Sequence, residues 1–274
     1  MGLVPMSSVA AAQPYELKHD IPIDVAVTVT AAALVFSSEA FGKSDLAAEP
    51  CRWCDRDEKG TDTLNPVDRG ARDALKWENT RLAANISDAL GFLGMPASSF
   101  GTLIASAGAE DTTGNTPLDM LLVGESMALS ALLNQGVKLI AGRERPFVHA
   151  LAAEEKPRTH HPTDNNLSFY SGHSAFAFSV AASSSTIASL RGYRLAPLVW
   201  ATTGTLAATT AYLRIAADKH YLSDVLTGVT IGAAIGIAVP LLFHGRRSEE
   251  SPRTGNLGAP LAPAPMMTTL GGSF

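Results

Sequence analysis

Cysteine, aromatic side chains and charge are all scarce in this chain of 274 residues. Only two cysteines occur, Cys51 and Cys54, in the stretch CRWC. No second pair and no suitably spaced histidine completes a zinc site with them, and no βαβ pattern surrounds them as a redox motif requires. They are left as a local disulfide, which implies an oxidising compartment, or as two free thiols. Aromatic residues make up 7% of the chain, too few for base-stacking platforms, and the formal net charge is -5. With no Lys/Arg stripe either, nucleic acid is excluded as a partner. Alternating β-type patterns are rare, and no linker-like break in composition divides the chain, so one all-α domain is expected.

What the chain has instead is apolar helix. Hydrophobic residues reach 46% and charged residues 17%, with mean hydropathy +0.12 because much of the apolar content is alanine. The first apolar segment runs from Ile23 to Phe41. Asn65-Pro66 reads as the start of a short amphipathic helix with Val67, Ala71 and Leu75 on one face. A third segment, about Leu82 to Ala109, is expected to break near Gly94 and Pro96. A long helix follows and ends at Gly142, a suitable C-terminal cap, and three more apolar helices follow a charged loop from Arg143 to Asn166. The expectation is an all-α, six-helix bundle, transmembrane, with the short amphipathic helix between the first two spans. Most of these helices have roughly 18 to 25 residues, enough to cross a bilayer, and small residues in them suit close packing in lipid. An Ala-rich soluble bundle is the alternative. Residues 1–20 form a leader or weak signal-like segment: AAAQ resembles a cleavage site, but a basic start is missing and Pro5 interrupts the apolar stretch. Residues 21–243 form the helical domain, and the Pro-, Gly- and Ser-rich residues 244–274 a disordered tail.

Ionisable residues stand where apolar segments meet. If the principal helices alternate in direction, three junctions fall at one end of the bundle: KLIAGRERP (Lys138 to Pro146), YSGH (Tyr170 to His173) and RIAADKHYLSDV (Arg214 to Val225). Unpaired charge in such a setting needs water or a charged ligand. Lys138, Arg145 and Arg214 supply cations, and arginine forks match phosphate oxygens. Ser171 and Gly172 open a helix whose free N–H groups favour an anion. His173 and His220 can serve as acid, base or nucleophile near neutral pH. Asp224 lies four residues after His220, on the same helical face, where a carboxylate can hold one imidazole nitrogen and leave the other free to attack.

The spacings Lys-x6-Arg-Pro (Lys138, Arg145, Pro146), Ser-Gly-His (Ser171, Gly172, His173) and Arg-x5-His-x3-Asp (Arg214, His220, Asp224) resemble the type-2 phosphatidic acid phosphatase superfamily. That superfamily also holds class A acid phosphatases and vanadate-dependent haloperoxidases. The resemblance covers about residues 117 to 243, with Tyr170 in place of the usual proline and Leu213 in place of the usual serine. It implies a metal-independent phosphatase without cofactor, acting on a lipid phosphate or isoprenoid pyrophosphate through a phosphohistidine on His220. Asp224 would orient His220, and His173 would protonate the leaving alcohol and then activate water. Lys138, Arg145, Ser171, Gly172 and Arg214 would bind the phosphate. A soluble periplasmic acid phosphatase of broad specificity is the alternative, with a haloperoxidase behind it.

Other residues carry weaker signals. Glu125, inside an apolar helix, is expected to face a polar bundle interior or bond a Ser or Thr on an adjacent helix rather than touch substrate. His149, His160, His161 and Asp164 are irregularly spaced in a loop, which suits a solvated loop better than a metal site. Trp53 and Trp77 are placed as an interfacial belt or as cover for the bundle. Arg191, Arg194, Arg246 and Arg247 mark the other end as cytoplasmic, which puts the active site on the periplasmic face of a bacterial-type inner membrane, or, for the soluble alternative, in the periplasm itself.

Overall fold

The computed structural model describes residues 14–247, so most of the leader and nearly all of the tail lie outside the described residues. A helix over Ile21–Leu46 (α1) starts where the Asp20 side chain accepts the Ile23 N–H at 3.3 Å, with Pro22 in the first turn, where no N–H is needed. The amphipathic helix Pro66–Leu75 (α2) has Asn65 as its cap, accepting the Asp68 N–H at 2.8 Å. Next comes Thr80–Ala109 (α3), capped by Asn79. The expected break in α3 does not occur. Pro96 has no N–H to offer the preceding turn, and the helix passes it by widening into a π-turn at Leu90–Gly94.

Helix Thr116–Ala141 (α4) ends at Gly142, whose φ of 55° is the left-handed conformation that favours glycine. Gly172–Arg191 (α5), Ala196–Ala216 (α6) and Leu222–Phe243 (α7) complete the bundle. Eight α-helical segments of ten residues or more occur among the described residues rather than six. Two of them join end to end in α3 and one is α2, so six long rods remain. No strand occurs among the described residues.

Helix α5 occupies the centre, in contact with α3, α4, α6 and α7. Its interior face is built from Ala175, Ser179, Ser183 and their neighbours, all buried. Against it lies α7, and a Cβ on Gly228 would come within 2.6 Å of the Ser171 carbonyl oxygen, while Gly232 and Gly236 are as tightly confined further along. Glycine at four-residue spacing lets the two backbones touch, as in close helix pairs in lipid. Large apolar side chains point outward instead: Phe36, Phe41, Leu93, Ile140 and Leu242 are all exposed. Four helices (α1, α3, α4 and α7) are long and apolar enough to cross a membrane. Small residues inside and large apolar ones outside make this a membrane protein rather than the soluble bundle. The serine-rich α5 avoids lipid because its neighbours surround it.

At the end of the bundle away from the motifs, the two ends of the described residues pair. Lys18 donates its N–H to the Gly245 carbonyl at 3.0 Å, and Arg247 to the Glu16 carbonyl at 2.8 Å. Residues 244–247, assigned to the tail on sequence grounds, thus have ordered partners.

Candidate active site

The three sequence patches meet at one cavity of about 610 Å³, lined among others by Lys138, Arg145, Gly172, His173, Arg214 and His220. Lys138 comes from the last turn of α4. A Cβ at Gly172 would sit 3.0 Å from its Nζ and 2.8 Å from Asn134 Oδ1, so only glycine lets the ammonium rest against the start of α5. Ser171 is the N-cap of α5, and its Oγ accepts from the Ser174 hydroxyl at 2.9 Å. The first N–H groups of α5, those of Gly172 and His173, have no acceptor within the helix and form an anion-favouring terminus.

Arg145 is held from two sides. Its Nε donates to the Asp164 carbonyl at 2.8 Å and its Nη1 to the Lys219 carbonyl at 3.1 Å, and the same Nη1 is 3.3 Å from His220 Nε2. Arg214, at the end of α6, donates from Nη1 to Ser87 Oγ and Asp88 Oδ1, each at 3.0 Å. Its Nε is buried and has no partner, although a buried donor normally finds one. This orphaned donor belongs to a residue lining the cavity, as an anion site requires.

His220 is 2% exposed. Its Nδ1 lies 2.8 Å from the Ser168 carbonyl, which can only accept, so Nδ1 carries the proton and Nε2 keeps its lone pair. The expected direct hold by Asp224 is corrected here: the carboxylate is 3.8 Å from Nδ1. Asp224 acts one step back, accepting the Ser168 hydroxyl at 2.6 Å and the Tyr221 N–H at 3.0 Å. Burial, then Arg145, Arg214, Lys138 and His173, push the His220 imidazole well below its ordinary value, so the ring is neutral.

Arg143, given no role in the sequence reading, anchors Asp224. Its Nη1 donates to Asp224 Oδ1 at 2.7 Å, its Nη2 to Asp68 Oδ2 at 2.9 Å, and its Nε to Asp55 Oδ2 at 3.1 Å. The guanidinium is sandwiched between the rings of Trp53 and Tyr221, each centroid 4.2 Å away. The CRWC loop delivers Trp53 and Asp55 to this position. Cys51 and Cys54 form a disulfide, and Arg52 N–H bonds the Gly142 carbonyl at 3.0 Å. Trp53 therefore covers a buried cation. Trp77 covers the bundle, donating to the Tyr212 hydroxyl at 2.9 Å.

Asp88 was also missed. It is the one charged side chain between Leu82 and Ala109, and a lone carboxylate in an apolar helix is itself a signal of function. Its Oδ1 lies 2.8 Å from His173 Nε2, at ion-pair distance but out of line for a hydrogen bond. The Phe92 ring stands edge-on to His173 at 4.7 Å, in the π-turn of α3.

The loop histidines separate. His160, His161 and Asp164 line the cavity, whereas His149 is buried elsewhere, 3.3 Å from Glu144 and from Asp62. Glu125 bonds neither substrate cavity nor hydroxyl; its partner is His244, at 3.1 Å, at the opposite end of the bundle.

Cavity, cations and paired imidazoles on a membrane-spanning helical scaffold define a phosphatase-type hydrolase site. Residues 119–248 match the family model of the PAP2 superfamily, a span that contains every residue of the three motifs. Among solved structures the chain is similar to the first transmembrane PAP2 type phosphatidylglycerolphosphate phosphatase from Bacillus subtilis, at 19% identity and a TM-score of 0.43, over 79% of this chain and 93% of that one. No curated protein matches it.

Proposed function

We propose that the protein hydrolyses the phosphate of a membrane lipid or isoprenoid alcohol through a phosphohistidine on His220, without a metal. The reading rests on one observation above the others. Three cations and a helix N-terminus line the same cavity as the His220 imidazole, and the unpartnered Arg214 Nε calls for an anion there. His220 Nε2 attacks phosphorus as the bond to the leaving oxygen breaks. His173, across the cavity, gives that oxygen a proton, then takes one from water, which attacks phosphorus and releases phosphate from His220. Lys138, Arg145, Arg214 and the N–H groups of Gly172 and His173 stabilise the charge that builds on the equatorial oxygens. Asp224 and Arg143 keep the Ser168 carbonyl, and thereby His220, in register.

The substrate class follows from the apolar part of the wall. Val35, Phe92, Ala131 and Phe176 line the same cavity, and a phosphate on a lipid chain satisfies both halves. A phosphate-release panel on detergent-purified protein tests this, with phosphatidic acid, phosphatidylglycerophosphate, undecaprenyl pyrophosphate, lipid A and a soluble monoester. At least one lipid is expected to be cleaved far faster than the soluble monoester; equal rates on all five overturn the assignment.

The active end faces an oxidising space in this reading, the periplasm of a bacterial-type cell, because the Cys51–Cys54 disulfide lies there. The arginine bias does not support it. Arg191 is buried against Asp119, and the segment between α1 and α3 alone holds Arg52, Arg56, Arg69 and Arg72. A Glu154→Cys variant lacking Cys51 and Cys54 decides the matter: labelling by an impermeant maleimide in intact cells is expected, and protection until lysis refutes it.

A further inference from the structure

At the far end of the bundle, three side chains able to ligate a metal meet from three separate segments. Asp24 stands in the first turn of α1, Glu125 in α4 and His244 directly after α7. All three are buried, and their ligand atoms lie within 4.8 Å of one another. At about 1.5 Å per helical residue, Asp24 is roughly 28 Å along α1 from Lys43, and His244 about 30 Å along α7 from Asp224. The cluster is therefore remote from the catalytic cavity.

His244 is held as a ligand is held. Its Nδ1 lies 3.2 Å from the Lys18 carbonyl, an acceptor, so Nδ1 carries the proton. The other ring nitrogen, Nε2, faces Glu125 Oε2, 3.1 Å away. A backbone carbonyl fixing the far nitrogen is the usual support of a metal-bound imidazole. At that distance something positive stands between nitrogen and carboxylate, a proton or a metal ion. A proton suffices for Glu125 but leaves Asp24 unbalanced. Among the described residues Asp24 makes no ion pair, and its carboxylate takes only the Asp20 N–H, at 3.0 Å. Two buried carboxylates and a neutral imidazole balance one divalent cation. A cavity of about 460 Å³ borders all three side chains and leaves room for a water ligand.

We propose that Asp24, Glu125 and His244 bind a divalent transition-metal ion that staples both ends of the described chain to α4. The nitrogen ligand selects zinc over calcium or magnesium, which take oxygen shells. Zinc ligands about 2.0–2.2 Å from the metal stand roughly 3.4 Å apart in a tetrahedron. The His244–Glu125 edge, at 3.1 Å, is about 0.3 Å shorter than that, and the Asp24 ligand atom lies within 4.8 Å of both.

The test uses the full chain in detergent, without a polyhistidine tag and with His160 and His161 replaced by alanine, since that adjacent pair could take zinc itself. Zinc ion is titrated against a chromophoric chelator, and the thermal midpoint is followed with and without it. One zinc per chain and a midpoint raised by zinc are expected. Asp24→Asn, Glu125→Gln and His244→Gln are each expected to weaken binding by about tenfold or more. Asp24→Asn leaves the His244–Glu125 contact in place and so remains informative where the other two fail to fold. Absence of stoichiometric binding, or zinc affinity unchanged in Asp24→Asn, overturns the proposal and leaves an imidazolium–carboxylate pair.

Discussion

Replacing Arg143 by methionine tests the positioning network most severely. The guanidinium is wholly buried and faces three carboxylates, those of Asp55, Asp68 and Asp224. Methionine fills the slot between Trp53 and Tyr221 but leaves the carboxylates without their cation. Breaking a buried pair by removing one partner costs about 3–5 kcal/mol, and loss of the two ring contacts adds about 0.5–2 kcal/mol each. These terms overlap, so a loss of at least about 3 kcal/mol is expected. Reversible unfolding in mixed detergent measures it, alongside turnover. Turnover is expected to fall too, since Asp224 holds Ser168 and Ser168 holds His220. Asp68→Asn should cost less in the Arg143→Met background than alone, because it removes an uncompensated charge there. A stability change within about 0.5 kcal/mol, the range of an ordinary surface substitution, together with full turnover, refutes the reasoning.

Gly172→Ala drives a methyl group to 3.0 Å from Lys138 Nζ; a folded protein with kcat/KM lower by about tenfold or more is expected, given the worth of one transition-state donor, and an unchanged value contradicts the cradle. Asp88→Asn removes the carboxylate beside His173 and Arg214, and a displaced pH profile of kcat is expected, whereas a uniform loss at every pH marks a purely structural role. His220 is held well below the ordinary imidazole value, so the acid limb that His220 contributes to kcat/KM should lie clearly below pH 6.5. The linkage has the matching sign. The unfolded chain takes up this proton first, so the stability due to His220 is complete above about pH 6.5 and is lost as pH falls toward the folded value.

Much of this was legible in the sequence because the signals are local. Asn65-Pro66 opens α2, Gly142 closes α4, and the order of the apolar segments is enough to bring Lys138, His173 and His220 to one end. What escaped depends on long-range contact. Arg143 differs from Arg145 by two positions in one loop, yet its role is set by Asp55, Asp68 and Asp224, which nothing local joins to it. The substitution of the Ser168 carbonyl for Asp224 at His220 Nδ1 is a matter of about an ångström, below the resolution of a four-residue spacing. Asp88 reaches the cavity only because α3 stays continuous through its π-turn, and the sequence suggested a break there. Glu125 was recognised as unusual in an apolar helix, but its partner His244 lies 119 residues away.

The covalent intermediate is the most direct test. Purified protein given a substrate labelled in its phosphate and quenched within a turnover should carry label that is stable to alkali and lost in acid, as a phosphohistidine is. It should map to His220, be absent from His220→Ala, and, with a substrate whose leaving group needs no proton, accumulate in His173→Ala, where water is no longer activated. Label on another residue, or turnover that survives in His220→Ala, contradicts the account.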